Sequence, residues 1–234
     1  MQKLSDSLWY HQGFVYIGKM KGAVGMTVVQ LASGEVLLHS PVAISDERKR
    51  EIDAIGPVKY IVSAVNGHNT YIEAATKLYP DATAYVSDGV PKKRPGLTNY
   101  TLLSSTDKYP WDEDLETIFL PGVPIFNERI FYHRASKSLI VSDFVQNHVE
   151  REYESKLEAF FDKKIFRKLG WDGVTTAPPL GWKWPVKDKP AFCQALERVK
   201  ALDVKTIVCG HGPALDNADN KLAAMCDRLL AKLG

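Results

Sequence analysis

The chain has 234 residues, 45% of them hydrophobic and 25% charged, which is the composition of a globular protein able to bury a sizeable core. Its 30 basic and 28 acidic residues leave a net charge of +2, which argues against binding to nucleic acid or to a membrane surface. The basic run at 92–94 is too short to change this, and we expect a solvated loop there. The N-terminus lacks the apolar segment of a signal peptide, and no apolar run is long enough to span a bilayer. We therefore expect a cytoplasmic protein.

The first third of the chain is predicted to be mostly β-structure. Short apolar runs predict strands at residues 14–17, 26–31, 36–39, 59–64 and 82–86. Ser45 is expected to cap a helix whose first residues are acidic, and the Gly-Pro pair at 56–57 ends that helix. A second helix is predicted over 70–78.

The remainder alternates between strands and helices after an irregular stretch, 87–113, that is rich in Gly and Pro. Further strands are predicted at 115–120, 128–133, 138–141 and 206–209. Apolar residues on one helical face predict helices over 149–165, 192–202 and 222–233. Trp171, Trp182 and Trp184 lie in a loop and either line an apolar pocket or pin that loop onto the core. This order predicts two facing sheets with helices outside, in one domain covering residues 1–234.

Four segments stand where an apolar run ends, at 65–71, 120–123, 141–143 and 209–212. A binuclear metal site needs several imidazoles and carboxylates that converge from the ends of different strands. The order of these segments resembles the metallo-β-lactamase superfamily over nearly the whole chain. That resemblance implies an α/β fold, a four-layered αββα sandwich.

The resemblance also implies where the metal ligands would be, and most of them are missing. The family's first motif, His-x-His-x-Asp-His, is matched by 66–71, and its Pro-Gly-His turn is matched by 121–123. Three ligand positions remain, namely His68, Asp143 at the bridging carboxylate and His211 in Gly-His-Gly. The other four carry Asn66, Thr70, Tyr71 and Val123. The family's early Asp-x-Gly is also absent, with His39-Ser40-Pro41 in that region.

Within the superfamily, the chain resembles a divergent family known only as a domain of unknown function. The resemblance is carried by Asn-x-His-Asn at 66–69, Tyr-Pro-Asp-Ala at 79–82, the segment 188–198 and Gly-His-Gly at 210–212. This resemblance implies the fold but does not identify a reaction.

Each remaining ligand position has a structural alternative. His68 either contacts a metal or substrate or is a hydrogen-bonded histidine between a strand and a helix. His211 either coordinates or binds a neighbouring carbonyl and holds its loop. Asp143 is a ligand, a helix cap or an acceptor that fixes its loop. Cys209 shares a strand face with His211 and is interpreted as a buried thiol; Cys193, Cys209 and Cys226 form neither a disulfide framework nor a zinc knuckle.

Two functional hypotheses follow from this pattern. In the first, the protein lacks a dinuclear centre and binds a small ligand or a protein partner through a remodelled pocket. In the alternative, His68, Asp143 and His211 hold one zinc or other divalent metal in a hydrolase of esters, lactones, thioesters or phosphoesters. In the family pattern the two histidines belong to different metals, so a single ion would sit off-centre or need help from His148 or His39. Metal-free acid-base catalysis by His68 with Asp143 requires those side chains within hydrogen-bond reach.

Overall fold

A computed structural model describes residues 1–17, 20–106, 108–148, 159–160, 164–165, 167–169, 172–177 and 186–233. The first sheet has seven strands, hydrogen-bonded in chain order: β1 (Gln2–Ser5), β2 (Leu8–Ile17), β3 (Met20–Gln30), β4 (Val36–His39), β5 (Val58–Ser63), β6 (Thr83–Val86) and β7 (Tyr100–Leu102). Neighbours are antiparallel from β1 to β4 and parallel from β4 to β7.

The second sheet has five strands. They are β8 (Leu115–Phe119), β9 (Arg129–His133), β10 (Ser138–Ile140), β13 (Thr206–Val208) and β14 (Leu215–Asp216), in the order β14-β13-β10-β9-β8. A separate antiparallel pair joins β11 (Gln146–His148) to β12 (Gly173–Thr175). The helices of the described residues that have full bounds are α1 (Asp46–Asp53), α2 (Ile72–Leu78), α3 (Val90–Lys93), α4 (Lys189–Lys200) and α5 (Asp219–Leu233).

Three buried clusters define the layers. One packs α1 and α2 against the seven-stranded sheet, with Ile52 and Ile72 fully buried. A second packs α4 and α5 against the five-stranded sheet, with Leu196 at its centre. The third lies between the two sheets and contains the buried rings of Trp111 and Phe131. Burial of these apolar side chains stabilises each interface, and the order helix, sheet, sheet, helix confirms the predicted αββα sandwich.

Local sequence accounts for several of these elements. The side-chain oxygen of Ser45 accepts a hydrogen bond from the Arg48 amide at 3.2 Å, so the predicted cap of α1 is confirmed. Asp188 caps α4 in the same way through the Ala191 amide. The predicted strands are found with longer bounds at the N-terminal hairpin, where β2 begins at Leu8 rather than at residue 14.

Other elements differ from the prediction. The stretch 87–113 is not wholly irregular, since it contains α3 and β7. The basic run at 92–94 is solvated as expected at Lys92 and Lys93, but these two residues end helix α3 rather than lie in a loop. Lys93 donates to the backbone oxygen of Asn66 at 2.7 Å, and Arg94 donates to the Asn69 side chain at 2.8 Å. Most of the predicted helix at 149–165, and all three loop tryptophans, lie outside the described residues. No helix in the described ranges is long and apolar enough to cross a membrane.

Strand direction brings the candidate segments to one edge of the sandwich. Strands β4 and β5 are parallel, and so are β10 and β13, so the carboxyl ends within each pair lie at the same edge. Contacts between the sheets join these ends: the Gly25 amide donates to Gly210 O at 2.8 Å, and the hydroxyls of Ser40 and Ser142 are 3.3 Å apart. The loops after these strands are thereby held together.

Candidate metal centre

The side chains of His68, Asp143 and His211 meet at this edge. The two Nε2 atoms of the histidines are 3.0 Å apart. Asp143 Oδ1 lies 3.4 Å from His68 Nε2 and 3.3 Å from His211 Nε2. Among the described residues, these three form the cluster of His, Cys, Asp and Glu side chains able to hold a metal ion.

The backbone fixes the orientation of both histidines. His68 has a φ of 39°, an unusual left-handed conformation for a residue with a side chain, and its carbonyl accepts from Ser63 Oγ at 3.2 Å. His211 Nδ1 is 2.9 Å from the carbonyl oxygen of Ala23. Because a carbonyl only accepts, Nδ1 carries the proton, and neutral His211 has its lone pair on Nε2, toward Asp143 and His68. A hydrogen bond of this kind to the outer nitrogen is the usual support of a metal-binding histidine.

Two glycines allow the loop of His211 to approach the site. A Cβ on Gly210 would lie 2.3 Å from Ser142 O and 2.9 Å from the His68 ring. Gly212 has a φ of 87°, and a Cβ there would lie 1.7 Å from Asn147 O. The Gly-His-Gly pattern is therefore required by close packing on both sides of the histidine.

Asp143 is 9% exposed and titrates well away from its ordinary range. Burial raises the pKa of this carboxyl, but the neighbouring imidazoles of His68 and His211 lower it by more, so the net pKa is depressed. Asp143 is accordingly a carboxylate at neutral pH, with two imidazole nitrogens facing one of its oxygens.

Glu128 is a buried carboxyl beside the site that the sequence analysis missed. Its Oε1 accepts from the amides of Ser142 at 2.7 Å and Asp143 at 3.1 Å, and the residue is 3% exposed. Burial and the charge of Asp143 raise the pKa of Glu128 to about 8. An acidic residue directly before the largely buried strand β9 was the available signal, but its partners are 14 and 15 residues away in sequence.

His39 and His148 are not part of the cluster. His39 is 2% exposed, and its Nε2 lies 3.3 Å from Ser142 Oγ. Burial and the nearby His68 lower the pKa of His39 to about 3, so it is neutral at physiological pH. The His148 ring stacks 6.2 Å from that of His211, and its Nε2 contacts Gln146 Oε1 at 2.8 Å. His39 therefore contacts the residue before Asp143, and His148 packs beside His211.

The four residues at the other ligand positions of the family pattern are placed as follows. Asn66 Oδ1 accepts from the Ser87 hydroxyl at 3.0 Å and the Gly89 amide at 2.9 Å. Tyr71 donates its hydroxyl to Phe14 O at 2.9 Å. Val123 is buried in the core under α4 and α5, and Thr70 lines a cleft beside His68. None of these four residues supplies an imidazole or carboxylate for a second metal ion.

The geometry of the cluster fits one ion. Zinc bonds of ~2.0–2.2 Å place neighbouring ligand atoms of a tetrahedron ~3.3–3.5 Å apart. The three separations between the ligand atoms, 3.0, 3.3 and 3.4 Å, are close to that spacing. His68, Asp143 and His211 could therefore hold a divalent cation through two imidazoles and one carboxylate.

Cys209, two residues before His211, takes no part in this chemistry. Its thiol is buried, and burial raises its pKa to about 12, so a reactive thiolate does not form at neutral pH. The interpretation of Cys209 as a buried thiol agrees with this environment.

Solved structures with the same fold are numerous. A metallo-β-lactamase from Pontibacter korlensis superposes with a TM-score of 0.59 at 16% identity, covering 99% of this chain and 97% of that one. A metallo-β-lactamase from Hirschia baltica superposes with a TM-score of 0.62 at 12% identity, covering 98% of this chain and 96% of that one. A flavodiiron core from Synechocystis superposes with a TM-score of 0.64 at 10% identity, covering 96% of this chain and 59% of that one. These similarities show the metallo-β-lactamase fold and nothing finer.

A family model also matches the sequence. It is described as a domain of unknown function, DUF4336, and it matches residues 5–159, which include His68 and Asp143 but not His211. No curated protein is significantly similar to the chain in sequence.

Proposed function

Because this chain belongs to the DUF4336 family and has a metallo-β-lactamase fold, we propose that it is a hydrolase that uses one divalent metal ion rather than two. The ligands would be His68, Asp143 and His211. The substrates would be esters, lactones, thioesters or phosphoesters, in which water replaces the alcohol or thiol. The products are the acid and that leaving group, or a single hydroxy acid where a lactone ring opens.

The triangle of ligand atoms supports this proposal most directly. Three side chains from three loops converge within 3.4 Å of one another although 143 residues separate the two histidines. A buried carboxylate between two imidazoles is costly to assemble for structure alone, since desolvation of charge often exceeds the Coulombic gain. A divalent cation would offset that cost by binding all three.

The chain's own groups have defined tasks in such a site. A bound divalent metal would lower the pKa of a coordinated water toward ~7 and polarise the scissile group. His211 is held by Ala23 O in the tautomer that leaves Nε2 unprotonated. Glu128 holds the backbone of Asp143, and His39 contacts the Ser142 hydroxyl beside it. These contacts keep the donor atoms in position before any ligand arrives.

Metal stoichiometry tests the proposal. Purified protein loaded with zinc or manganese should contain about one equivalent by elemental analysis, and calorimetry should give the same number of sites. His211→Ala and Asp143→Ala should weaken binding by more than the ~10–100-fold that loss of an outer-shell contact produces. Both variants should also lose hydrolysis of p-nitrophenyl esters.

His11→Ala is the matched control, since His11 lies on β2 outside the cluster. It should keep both metal and activity. Two equivalents of tightly bound metal, or unchanged binding in His211→Ala, would contradict the proposal.

A metal-free binding protein is the second candidate. The 3.0 Å contact between the two imidazoles favours it, because His68 and His211 satisfy each other without an ion. Absence of tight metal binding, with retention of a small ligand in the adjacent cleft, would support this candidate. Metal-free acid-base catalysis is less well supported, since His68 and Asp143 are 3.4 Å apart, beyond the usual ~2.7–3.2 Å of a hydrogen bond.

A further inference from the structure

Backbone hydrogen bonds fix the peptide groups before and after His211. The Gly25 amide of strand β3 donates to Gly210 O at 2.8 Å, and the Asn147 amide of strand β11 donates to His211 O at 2.8 Å. The next residue, Gly212, has a φ of 87° and no side chain, and a glycine has more backbone freedom than any other residue. The orientation of the histidine therefore also depends on what holds this glycine.

Tyr10 on strand β2 holds it from the opposite sheet. The Tyr10 hydroxyl donates to Gly212 O at 2.7 Å, although 202 residues separate the two in sequence. The side chain is 4% exposed and belongs to the cluster between the sheets. Burial raises the pKa of the phenol, so the hydroxyl remains a hydrogen-bond donor at physiological pH. A buried donor is thus bonded to the residue that follows the candidate ligand.

Gly25 provides the space for the Tyr10 ring. A Cβ on Gly25 would lie 2.5 Å from the ring and 2.7 Å from Cys209 O. Any larger residue at 25 would therefore displace either the tyrosine or the strand end that leads to His211. The hairpin is shaped at this point to bring the phenol to the loop.

The hydroxyl has a purpose beyond filling the core. A phenylalanine would fill the same space without the cost of burying a polar group. Metal coordination requires bond lengths correct to within ~0.2 Å, which a freely rotating glycine beside the ligand would not allow. We propose that Tyr10 is a positioning residue for the candidate ligand His211, because its hydroxyl fixes Gly212 and so keeps the histidine Nε2 where an ion would bind. The coordination in this inference rests on the proposed function, but the ordering of the loop does not.

Tyr10→Phe tests the inference, because it removes the hydroxyl and keeps the ring. Calorimetric titration with zinc should give a Kd at least about tenfold weaker than that of wild type, since loss of a group that orients a ligand costs ~10–100-fold. In protein saturated with cobalt(II), the visible absorption bands should shift, because they depend on the geometry of the ligands. A loss of stability alone would leave the position of these bands unchanged.

Tyr109→Phe is the matched control. The Tyr109 hydroxyl also donates to a backbone carbonyl, that of Leu103, at 2.7 Å, and Tyr109 lies in the loop before β8, which carries none of the three candidate ligands. This variant should keep the zinc Kd and the cobalt bands of wild type even where its Tm falls. Wild-type zinc affinity and unshifted cobalt bands in Tyr10→Phe would overturn the inference and leave the proposed function in place.

Metal-free protein gives a readout that does not depend on the proposed function. His211 Nδ1 bonds to Ala23 O, so ¹⁵N NMR of the wild-type imidazole should show a single tautomer, and Tyr10→Phe should show a second one. That change in a protein that binds no metal would contradict the hydrolase and support the role of Tyr10. An unchanged His211 signal would overturn that role.

Gly25→Ala provides a second variant in case Tyr10→Phe does not fold. Its added methyl group would displace the Tyr10 ring while every hydrogen-bonding side chain is kept. The second tautomer of His211 should again appear. A wild-type His211 signal in folded Gly25→Ala would contradict the inference.

Discussion

Glu128 shows how a single buried side chain supports the site without being one of its ligands. Its carboxyl oxygen accepts hydrogen bonds from two consecutive backbone amides, those of Ser142 and Asp143. These bonds fix the backbone of the loop after β10. Two buried amides left without a partner would each cost ~1–3 kcal/mol, which is large beside the usual stability of a domain. The orientation of Asp143 therefore depends on an acceptor at position 128.

Substitution of Glu128 should separate its role as an acceptor from its charge. Burial raises the pKa of this carboxyl from 4.5 to about 8, so the folded state binds its proton more tightly than the unfolded state. The associated stability is fully present below pH 4.5 and is lost as pH rises toward about 8. Glu128→Gln keeps the acceptor oxygen and removes the titration, so its free energy of unfolding relative to wild type should increase over that range.

Urea denaturation at pH 5 and pH 8 measures this difference. Glu128→Ala serves as the comparison, because it removes the acceptor and should be destabilised at both pH values, by about 2–6 kcal/mol for two orphaned amides. Parallel pH profiles for wild type and Glu128→Gln would show that the carboxyl does not titrate differently on folding.

At the scale of structural elements, the β2–β3 hairpin contacts the site although it carries none of the three candidate ligands. It supplies the carbonyl of Ala23 to His211 and accepts the hydroxyl of Tyr71 through Phe14 O. It also supplies two valines to the cleft. A change in the packing of this hairpin would thus alter both the hydrogen bond of His211 and the shape of the cleft.

Tyr71→Phe should loosen the hairpin specifically. Loss of one partly exposed hydrogen bond should cost about 0.5–1.5 kcal/mol in the free energy of unfolding. The amides of β2 and β3 should exchange faster with deuterium, since local opening of the hairpin becomes easier. Tyr16→Phe, on the same hairpin, removes a hydroxyl from a side chain that is 62% exposed and should change neither quantity. Equal amide exchange rates in the two variants would show that the Tyr71 hydroxyl does not stabilise the hairpin.

On the scale of the whole molecule, the order of strands and helices predicted two facing sheets with helices outside, and the resemblance to the metallo-β-lactamase superfamily implied the αββα sandwich and the candidate ligands His68, Asp143 and His211. Apolar runs and turn residues are local signals, and parallel strands carry their ends to one edge. The role of Glu128 and the attachments of Asn66 and Tyr71 were not predictable, because each depends on a contact with a distant segment. The single domain over residues 1–234 and the cytoplasmic location stay predictions.

Ligand-linked stability gives a global test of a metal at this edge. The site joins loops from both sheets, so an ion bound only by the folded state should stabilise the entire sandwich. At a free metal concentration of 100 times Kd, the gain should be ~2.7 kcal/mol. Thermal unfolding of chelator-treated protein, with and without added zinc, measures it; His211→Ala should show no gain. A gain of equal size in that variant would place the metal elsewhere.

The attachments of Asn66 also bear on whether a two-metal centre can be rebuilt in this chain. Its side chain bonds to two other segments, at Ser87 and Gly89 in one and at Pro124 in the other, and a Cβ on Gly89 would lie only 2.6 Å from Asn66 Oδ1. A histidine at 66 would break these bonds and would not fit the same space. We therefore expect an imidazole at position 66 to lower stability, because the contacts of Asn66 are lost before any second ion could compensate for them.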